Sequence, residues 1–405
     1  MFYADLHVHS HYAMATSRDC DLPHLDLWGR KKGIALLGTG DFTHPAWRQE
    51  MKEQLEPAEE GLYRLREEFR LPWEGAGEQV SPRFMISGEI SSIYKQGGKT
   101  RKIHNVILLP SLEAGEKVSQ ELEKVGNLHS DGRPILGLSA RDLLELTLEA
   151  CPQAMLIPAH IWTPHFSLLG AFSGFDSVEE CFGDLSGHIH ALETGLSSDP
   201  PMNGQVSRLD KYQLVSHSDA HSPRKLGREA DVLETECSYP AVKRALETGD
   251  GLWGTVEFFP QEGKYHLDGH RNCGVRLYPG ETNHLGGVCP VCGRRLTVGV
   301  QHRVEDLADR PQGEMSRKPF VRWIPLPELL AACLGRGEQT EGVQGLYEKL
   351  LGALGSEFSI LGEVPLEAVA REGGEQVARA VRCLREETVR WEPGYDGVFG
   401  SFQLV

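Results

Sequence analysis

The chain has 405 residues, with 42 Lys and Arg against 58 Asp and Glu, a formal net charge of −16. Hydrophobic residues make up 40% and charged residues 25%, which excludes a globally disordered chain and leaves length for about two or three domains. No apolar run approaches the roughly 18–20 residues of a membrane span, and the opening MFYADLHVHS has neither the basic nor the apolar segment of a secretory leader, so a cytoplasmic protein with no membrane contact is expected.

From residue 1 to about 255, short apolar runs alternate with longer amphipathic stretches. Strands are expected at Phe2–His7, Ile34–Gly38, Phe84–Ser87, His104–Leu109, Met155–Pro158, Ile189–Glu193 and Gln213–Ser216. Helices are expected at Ala46–Leu71, Ser111–Val125, Ala140–Ala150 and Pro240–Thr248. Such alternation predicts a parallel sheet or an α/β barrel. Residues 264–300 are rich in Cys, Gly and turn formers, and residues 264–325 are the only net-basic segment, with 10 basic against 6 acidic side chains. Residues 325–405 read as helical (Leu326–Leu334, Val343–Leu354, Leu366–Thr388) with a strand-like end, Val398–Val405. The expected domains are therefore 1–255, 256–324 and 325–405.

Histidines and carboxylates cluster at the ends of the expected strands. His7 and His9 follow the first, and on a strand residues two apart share a face, so both imidazoles can reach one site. Asp219 and His221 repeat that spacing after Gln213–Ser216. Asp41 follows the second strand, Glu89 the third, His104 opens the fourth and His160 closes the fifth. Strand ends of an α/β fold converge on one mouth, where these eight side chains would surround two or three divalent ions. Imidazole with carboxylate suits zinc, manganese or iron better than calcium, with magnesium a further candidate.

The motifs Asp5-Leu6-His7-Val8-His9-Ser10, Gly88-Glu89 and Ser218-Asp219-Ala220-His221 resemble the polymerase and histidinol phosphatase (PHP) superfamily. The resemblance implies a distorted seven-stranded β/α barrel with a trinuclear metal centre for phosphoester hydrolysis. Its ligand positions fall on His7, His9, Glu89, His104, His160, Asp219 and His221, with Glu89 as the bridge. Two positions depart from the pattern: Asp41 stands where a His is usual, and Ala15 where an Asp is common, so one metal is expected to be held differently. His44 and His165 are expected to be loop residues touching substrate, and Glu193 a carboxylate orienting a ligand.

His270 with Cys273, and Cys289 with Cys292, form two knuckles of structural-zinc spacing. His266 and His284 compete with His270 for the fourth position. The other cysteines are scattered and read as small buried hydrophobes. Arg294, Arg295, Arg303, Arg310, Arg317, Lys318 and Arg322 follow, and they suggest a phosphate-backbone footprint. Lys99, Arg101 and Lys102 before His104, and Arg224 after His221, are further phosphate candidates. The stretch containing Trp162, His165, Phe166, Phe172 and Phe175 reads either as a loop closing the barrel mouth or as a stacking pocket for an extruded base.

The barrel motifs, the knuckles, Leu296–Arg303 and Pro393-Gly394-Tyr395-Asp396-Gly397 together resemble one family, endonuclease Q, along the whole chain. The resemblance implies incision of damaged DNA 5′ of a deaminated base (uracil, hypoxanthine, xanthine) or an abasic site by metal-activated water. Two other readings are open: a PHP-type phosphomonoesterase acting on a small molecule, which leaves the zinc module without a purpose, and a non-catalytic DNA-binding protein, which the nearly complete ligand set opposes. No motif identifies a protein partner.

Overall fold

Residues 1–77, 80–311 and 318–404 are described in the structure, a computed structural model. Strands β1 (Phe2–Asp5) and β2 (Ile34–Gly38) run parallel, connected through the helix Leu22–Lys32. Asp21 caps that helix by accepting from the His24 amide, and Gly33 at φ 90° ends it. The expected helix Ala46–Leu71 stops early: it spans Pro45–Gln54, and a hairpin of β3 (Leu55–Pro57) and β4 (Tyr63–Leu65) follows. Pro57 has no amide hydrogen and disfavours helical backbone at the preceding residue, which outweighs the amphipathic spacing.

β5 (Arg83–Gln96) and β6 (Lys99–Leu109) form a long antiparallel hairpin turned by Gly97 (φ 60°) and Gly98 (φ 75°), the left-handed pair that a two-residue hairpin favours. β7 (Ile135–Leu136) adds to β5, and β8 (Met155–Pro158) lies antiparallel to β6. β9 (Ala191–Glu193) and β10 (Gln213–Val215) are parallel. β11 (Ala230–Leu233) flanks β1 antiparallel and carries β12 (Leu252–Glu257) on its far side. The fold is α/β as expected, and its sheet is mixed rather than wholly parallel, in part because the Gly97–Gly98 turn reverses the chain without a crossover helix. The wall also bends back on itself. The Ile161 amide donates to the Glu193 carbonyl between the ends of β8 and β9, and Val8 bridges Ala220 beyond the ends of β1 and β10.

Alternation along the strands places the chemistry. Met85, Val106 and Leu108 pack with Ala4, Leu6, Leu36, Ile157, Ala191 and Val215 in one buried cluster. Two residues at a time along β5, Met85 gives way to Ser87 and then Glu89. On β6, which runs the other way, Leu108 and Val106 are followed at the same end by His104. An apolar floor thus ends in a polar rim.

β13 (Asp268–His270) and β14 (Val275–Leu277) form a small hairpin, and β15 (Phe320–Arg322) pairs with β12. The helices Leu326–Leu334, Glu341–Leu354 and Glu357–Gly362 follow, and the expected helix Leu366–Thr388 is split at Gly374 (φ 91°) into Leu366–Gly373 and Glu375–Arg385. β16 (Arg390–Glu392) and β17 (Ser401–Gln403) close the chain as a hairpin. No helix among the described residues is long and apolar enough to cross a membrane.

A buried ion pair fastens the helical region to the sheet domain. Lys32 Nζ lies 2.8 Å from Glu357, each side chain being 1% exposed. Tyr347 donates to the same carboxylate at 2.7 Å and the Leu326 amide at 3.0 Å. Glu357→Ala leaves a buried ammonium without a counter-charge and should cost about 3–5 kcal/mol of unfolding free energy in urea titrations. A loss below about 1 kcal/mol would place the pair at the strength of a surface contact.

Candidate metal centre and its cavity

Two groups of side chains that could hold a metal ion meet at one carboxylate. His7, His9, Glu89 and Asp219 offer ligand atoms within 4.8 Å of one another, and so do Glu89, His104 and His160. Glu89 Oε1 lies 2.7 Å from His104 Nδ1, 3.2 Å from His160 Nε2 and 3.6 Å from His7 Nε2. Its Oε2 lies 3.4 Å from His9 Nε2. Asp219 Oδ1 is 3.0 Å from His9 Nε2 and 3.5 Å from His7 Nε2.

Three observations fit a cation here. His7 Nε2 is buried without a hydrogen-bond partner, facing two carboxylates, while its Nδ1 is held by Glu193 at 3.0 Å. An imidazole fixed from behind in this way is arranged as a ligand. Burial works against charge on His7 and His9, yet the surrounding carboxylates outweigh it and raise both pKa values well above the ordinary range. Burial would raise Glu89, but His104 and His7 hold it well below the usual carboxylate range. The cluster thus draws positive charge from whatever can supply it. The backbone is strained at the same place: Asp41 (φ 48°), His160 (φ 30°) and Asp219 (φ 49°) are non-glycine residues in the left-handed region.

That strain moves one expected ligand out of the cluster. Asp41 joins neither group: Oδ1 is 3.0 Å from His9 Nδ1, and Oδ2 accepts from the Ser10 amide at 2.7 Å and hydroxyl at 2.6 Å. The preceding Gly40 (φ 65°) makes the turn possible, because a Cβ there would stand 2.3 Å from the Val8 carbonyl oxygen. His221 also lies outside both groups, its ring 4.5 Å from that of His9 and its Nδ1 2.8 Å from the Asp219 carbonyl oxygen. Glu193 stands behind His7 and accepts the His160 amide at 2.8 Å. Burial opposes its charge, but His7 and His217 pull its pKa down to about 2. His217 gives no signal in the sequence that distinguishes it from its neighbours, yet it links Glu193 to Asp231, at 3.0 and 3.1 Å.

A cavity of about 360 Å³ opens beside the cluster. It is lined by His104, His160, Asp219 and Arg133, by Pro164, His165 and Phe166, and by Lys264, Tyr265 and Phe399. Of the expected base-pocket residues, His165 and Phe166 line this cavity, whereas Phe172 is an exposed ring stacked on His165 at 4.8 Å. Trp162 and Phe175 are core residues, 0% and 2% exposed, and the Trp162 indole N–H donates to Asn203. His44, expected to touch substrate, is buried with its ring 4.2 Å from that of Tyr12.

The expected phosphate contacts are redistributed. Arg101 donates to the Gly174 carbonyl with its guanidinium 4.0 Å from the Phe175 ring, and Arg303 donates to the carbonyls of Leu169 and Phe175 and to Asp176. Both cations brace the loop that carries His165 and Phe166. Arg224 reaches Gln339 and Gln344 beside the C-terminal helices. Lys102 lies 5.0 Å from the Phe166 ring, and Lys99, Arg294 and Arg295 are exposed. Arg310 and Arg322 are paired to Asp210 and Asp199, and Arg317 lies outside the described residues. Arg133 and Arg228 line the cavity, Arg228 from the basic run that follows His221. Arg133 donates to Glu89 Oε2 at 3.1 Å, and as a single basic residue in a loop nothing in the sequence singles it out.

His270, Cys273, Cys289 and Cys292 form the remaining group. His270, rather than His266 or His284, joins the thiols, with Nδ1 3.5 Å from Cys292 Sγ. Desolvation opposes a thiolate at Cys289, but the Cys292 and Val291 amides bring its pKa down to about 7, which favours a metal-binding form.

The chain matches the MJ0043 C-terminal domain family over residues 325–388. It is 30% identical to the uncharacterised protein YqxK of Bacillus subtilis over 382 residues, 92% of this chain and 89% of YqxK. It is 29% identical to the uncharacterised protein MJ0043 of Methanocaldococcus jannaschii over 252 residues, 60% of this chain but only 31% of MJ0043. Among solved structures, the lesion-specific endonuclease PfuEndoQ of Pyrococcus furiosus matches with a TM-score of 0.86 and 28% identity, covering 100% of this chain and 95% of that one. A complex of endonuclease Q with a 27-mer duplex carrying an abasic lesion at its active site matches with a TM-score of 0.86 and 29% identity, covering 100% and 96%.

Asp41 separates two accounts of the centre. If it only orients His9, Asp41→Asn should weaken divalent-ion binding about 10- to 100-fold with unchanged stoichiometry. Titration calorimetry with Mn²⁺ reads both quantities, and a lost equivalent would make Asp41 a ligand after all.

Proposed function

Because the chain belongs to the endonuclease Q family of metal-dependent DNA endonucleases, we propose that it hydrolyses the phosphodiester immediately 5′ of a deaminated base (uracil, hypoxanthine or xanthine) or an abasic site in damaged DNA. The observation that carries this reading is the shared mouth: one cavity joins the carboxylate–imidazole cluster to a wall of His165 and Phe166. A small phosphomonoester needs no such wall, whereas a base rotated out of a duplex needs an apolar face to replace lost stacking.

His7, His9, Glu89 and Asp219 would hold one divalent ion and Glu89, His104 and His160 a second, zinc, manganese, magnesium or iron being the candidates by ligand type. Ions bound there supply Lewis acidity, bringing the pKa of water toward neutrality and offsetting charge on the phosphate. The side chains do the rest. Glu193 and Asp41 fix the ring orientations of His7 and His9. Arg133, bonded to Glu89 and lining the cavity, is placed to hold a phosphate oxygen next to the cluster. Deaminated bases pair less firmly than normal ones, so they leave the helix at lower cost and reach the cavity more often. The His270–Cys292 group takes a structural zinc, which ties β13 to the Cys289–Cys292 knuckle in a segment with little apolar core of its own.

On 5′-labelled duplexes carrying one deoxyuridine, one deoxyinosine or neither, with Mg²⁺ or Mn²⁺, the expected product is a single strand ending just 5′ of the lesion. His9→Ala and Asp219→Ala should abolish it while leaving circular dichroism unchanged, and Arg133→Ala should slow it about 10²- to 10³-fold. Intact DNA under every metal, with turnover of p-nitrophenyl phosphate, would point to a small-molecule phosphatase.

The zinc assignment is checked by metal release. Thiol modification of the purified protein should free about one equivalent of zinc that a Cys289→Ser/Cys292→Ser variant no longer contains. Equal zinc in both would remove the assignment.

A further inference from the structure

Two carboxylates outside the imidazole cluster stand side by side in the core. The antiparallel register of β11 and β12 pairs Ala230 with Val256, which makes Glu229 and Glu257 the next cross-strand neighbours, with Cβ atoms about 4.5–5.5 Å apart. The Phe258 amide, 3.4 Å from Glu229 Oε1, is a further contact between the two strand ends. Both carboxylates are 0% exposed. Like charges directly opposite on a sheet destabilise it, and burial removes the solvent that would screen them. Among the described residues, the Oε2 atoms of Glu229 and of Glu257 are both buried without a hydrogen-bond partner.

The cations nearby are committed elsewhere. His217 lies between Glu193 and Asp231, Arg322 pairs with Asp199 at 2.8 Å and Glu387 at 2.9 Å, and Arg228 pairs with Glu328 at 2.6 Å. What surrounds the two carboxylates instead is hydroxyl oxygen. Thr255 donates to Glu257 Oε1, the Ser216 hydroxyl is close enough to stabilise charge on both carboxylates, and the Thr194 hydroxyl does so for Glu257. Ser216 Oγ and Thr194 Oγ1 are 3.0 Å apart, and all three hydroxyl residues are buried. A hydroxyl that donates one bond keeps lone pairs to offer. The donor set is therefore all oxygen, without nitrogen or sulfur, which is the set a hard cation takes. Burial, and then the charge of Glu257, raises Glu229 well above the usual carboxylate range. Burial likewise pushes Glu257 up to about 8 against the Thr255 hydroxyl, with Asp199 adding to the rise. Thr255 also lines a separate cavity of about 270 Å³ bounded by Asn203, Asp210 and Tyr212, which brings open space to the edge of this group.

We propose that Glu229 and Glu257, with the hydroxyls of Ser216, Thr194 and Thr255, bind a hard divalent cation of the size of Ca²⁺, at a structural site separate from the imidazole cluster. Two carboxylates call for two positive charges. A single shared proton would remove one negative charge and leave the other buried beside Glu193 and Asp199. Mg²⁺ holds on to several waters, whereas a site built of buried protein oxygens suits the larger ion, which exchanges its waters for carboxylate and neutral oxygens. The ion would also have a mechanical role. Thr194 follows β9, Ser216 follows β10, Glu229 precedes β11 and Glu257 ends β12. β9 and β10 pair only with each other, while β11 and β12 belong to the large sheet, so an ion here joins the two sheets where no strand ladder does.

Equilibrium dialysis of chelator-treated protein against radiolabelled Ca²⁺ tests the site. The wild type should hold one equivalent more than Glu229→Gln/Glu257→Gln, and the same difference should persist when His9→Ala is present in both proteins. Saturating Ca²⁺ should raise the wild-type thermal transition by about 2 °C or more and leave that of Glu229→Gln/Glu257→Gln where it was. Ser216→Ala removes only a neutral donor and should weaken Ca²⁺ binding about 10-fold, which decides the matter even if the double variant does not fold. Equal Ca²⁺ in the wild type and the double variant overturns the proposal, and a shared proton then joins the two carboxylates. A difference that disappears with His9→Ala assigns the ion to the imidazole cluster and overturns it too, as does full affinity in Ser216→Ala.

Discussion

A buried carboxylate that is to stay charged requires compensating charge, and both candidate metal-binding groups meet around that requirement at Glu89. It is 1% exposed, and His7, His9, His104, His160 and Arg133 all lie within 3.6 Å of its two oxygens. Desolvating a carboxylate without compensation costs several kcal/mol, so the surroundings of Glu89 must be fixed before it can be charged. Four separated stretches of chain meet that need: the run beyond β1, the middle of the β5–β6 hairpin, the end of β8 and the loop before β7. The curvature of the wall and the register of the hairpin both serve to bring these stretches within reach of one side chain.

The second line of groups extends the same logic. Glu193 binds His7 from behind, His217 binds Glu193, and Asp231 binds His217, so charges alternate along a buried line leading away from the cluster. Burial disfavours charge on His217, yet its two carboxylates push its pKa up to about 10. An uncompensated Glu193 beneath His7 would have to be neutralised; with His217 beside it, it stays charged and keeps His7 in one orientation. The left-handed backbone at Asp41, His160 and Asp219 belongs to the same device. Such conformations persist only where surrounding bonds over-determine them: Ser10 and His9 hold the Asp41 carboxylate, and Glu193 accepts the His160 amide.

How much of this was legible in the sequence depended on whether local periodicity carried the geometry. His7 and His9 could be read as partners because strand-like backbone repeats every two residues, Glu89 because it follows an apolar run, and His104 because it opens one. Asp41 ends an apolar strand as well, yet one residue of left-handed backbone after Gly40 turns it behind His9, and periodicity does not encode such a turn. Arg133 and Phe399 come from loops whose positions are set by tertiary contacts, so no spacing points to them. Trp162 and Phe175 show the converse: an aromatic beside a ligand looks like a pocket wall, but burial and the Asn203 hydrogen bond place Trp162 in the core. The helix expected across Pro57 erred for a readable reason, since proline should have outweighed amphipathic spacing.

Charge explains why the cations adjoining the ligands in sequence do not crowd the site in space. With a net charge of −16, the protein's overall field repels a polyanion, and the centre adds Glu89, Asp219, Asp41 and Glu193 to that repulsion. Most of the Arg side chains near the ligands are used to hold structure: Arg101 and Arg303 brace the aromatic loop, and Arg224 contacts the C-terminal helices. Within the cavity, attraction for a phosphate comes from Arg133, Arg228 and Lys264 and from whatever divalent charge the carboxylates gather, and Lys99, Arg294 and Arg295 remain exposed outside it. Positive charge placed there acts where a strand can be cut, against an acidic overall field that weakens attraction elsewhere.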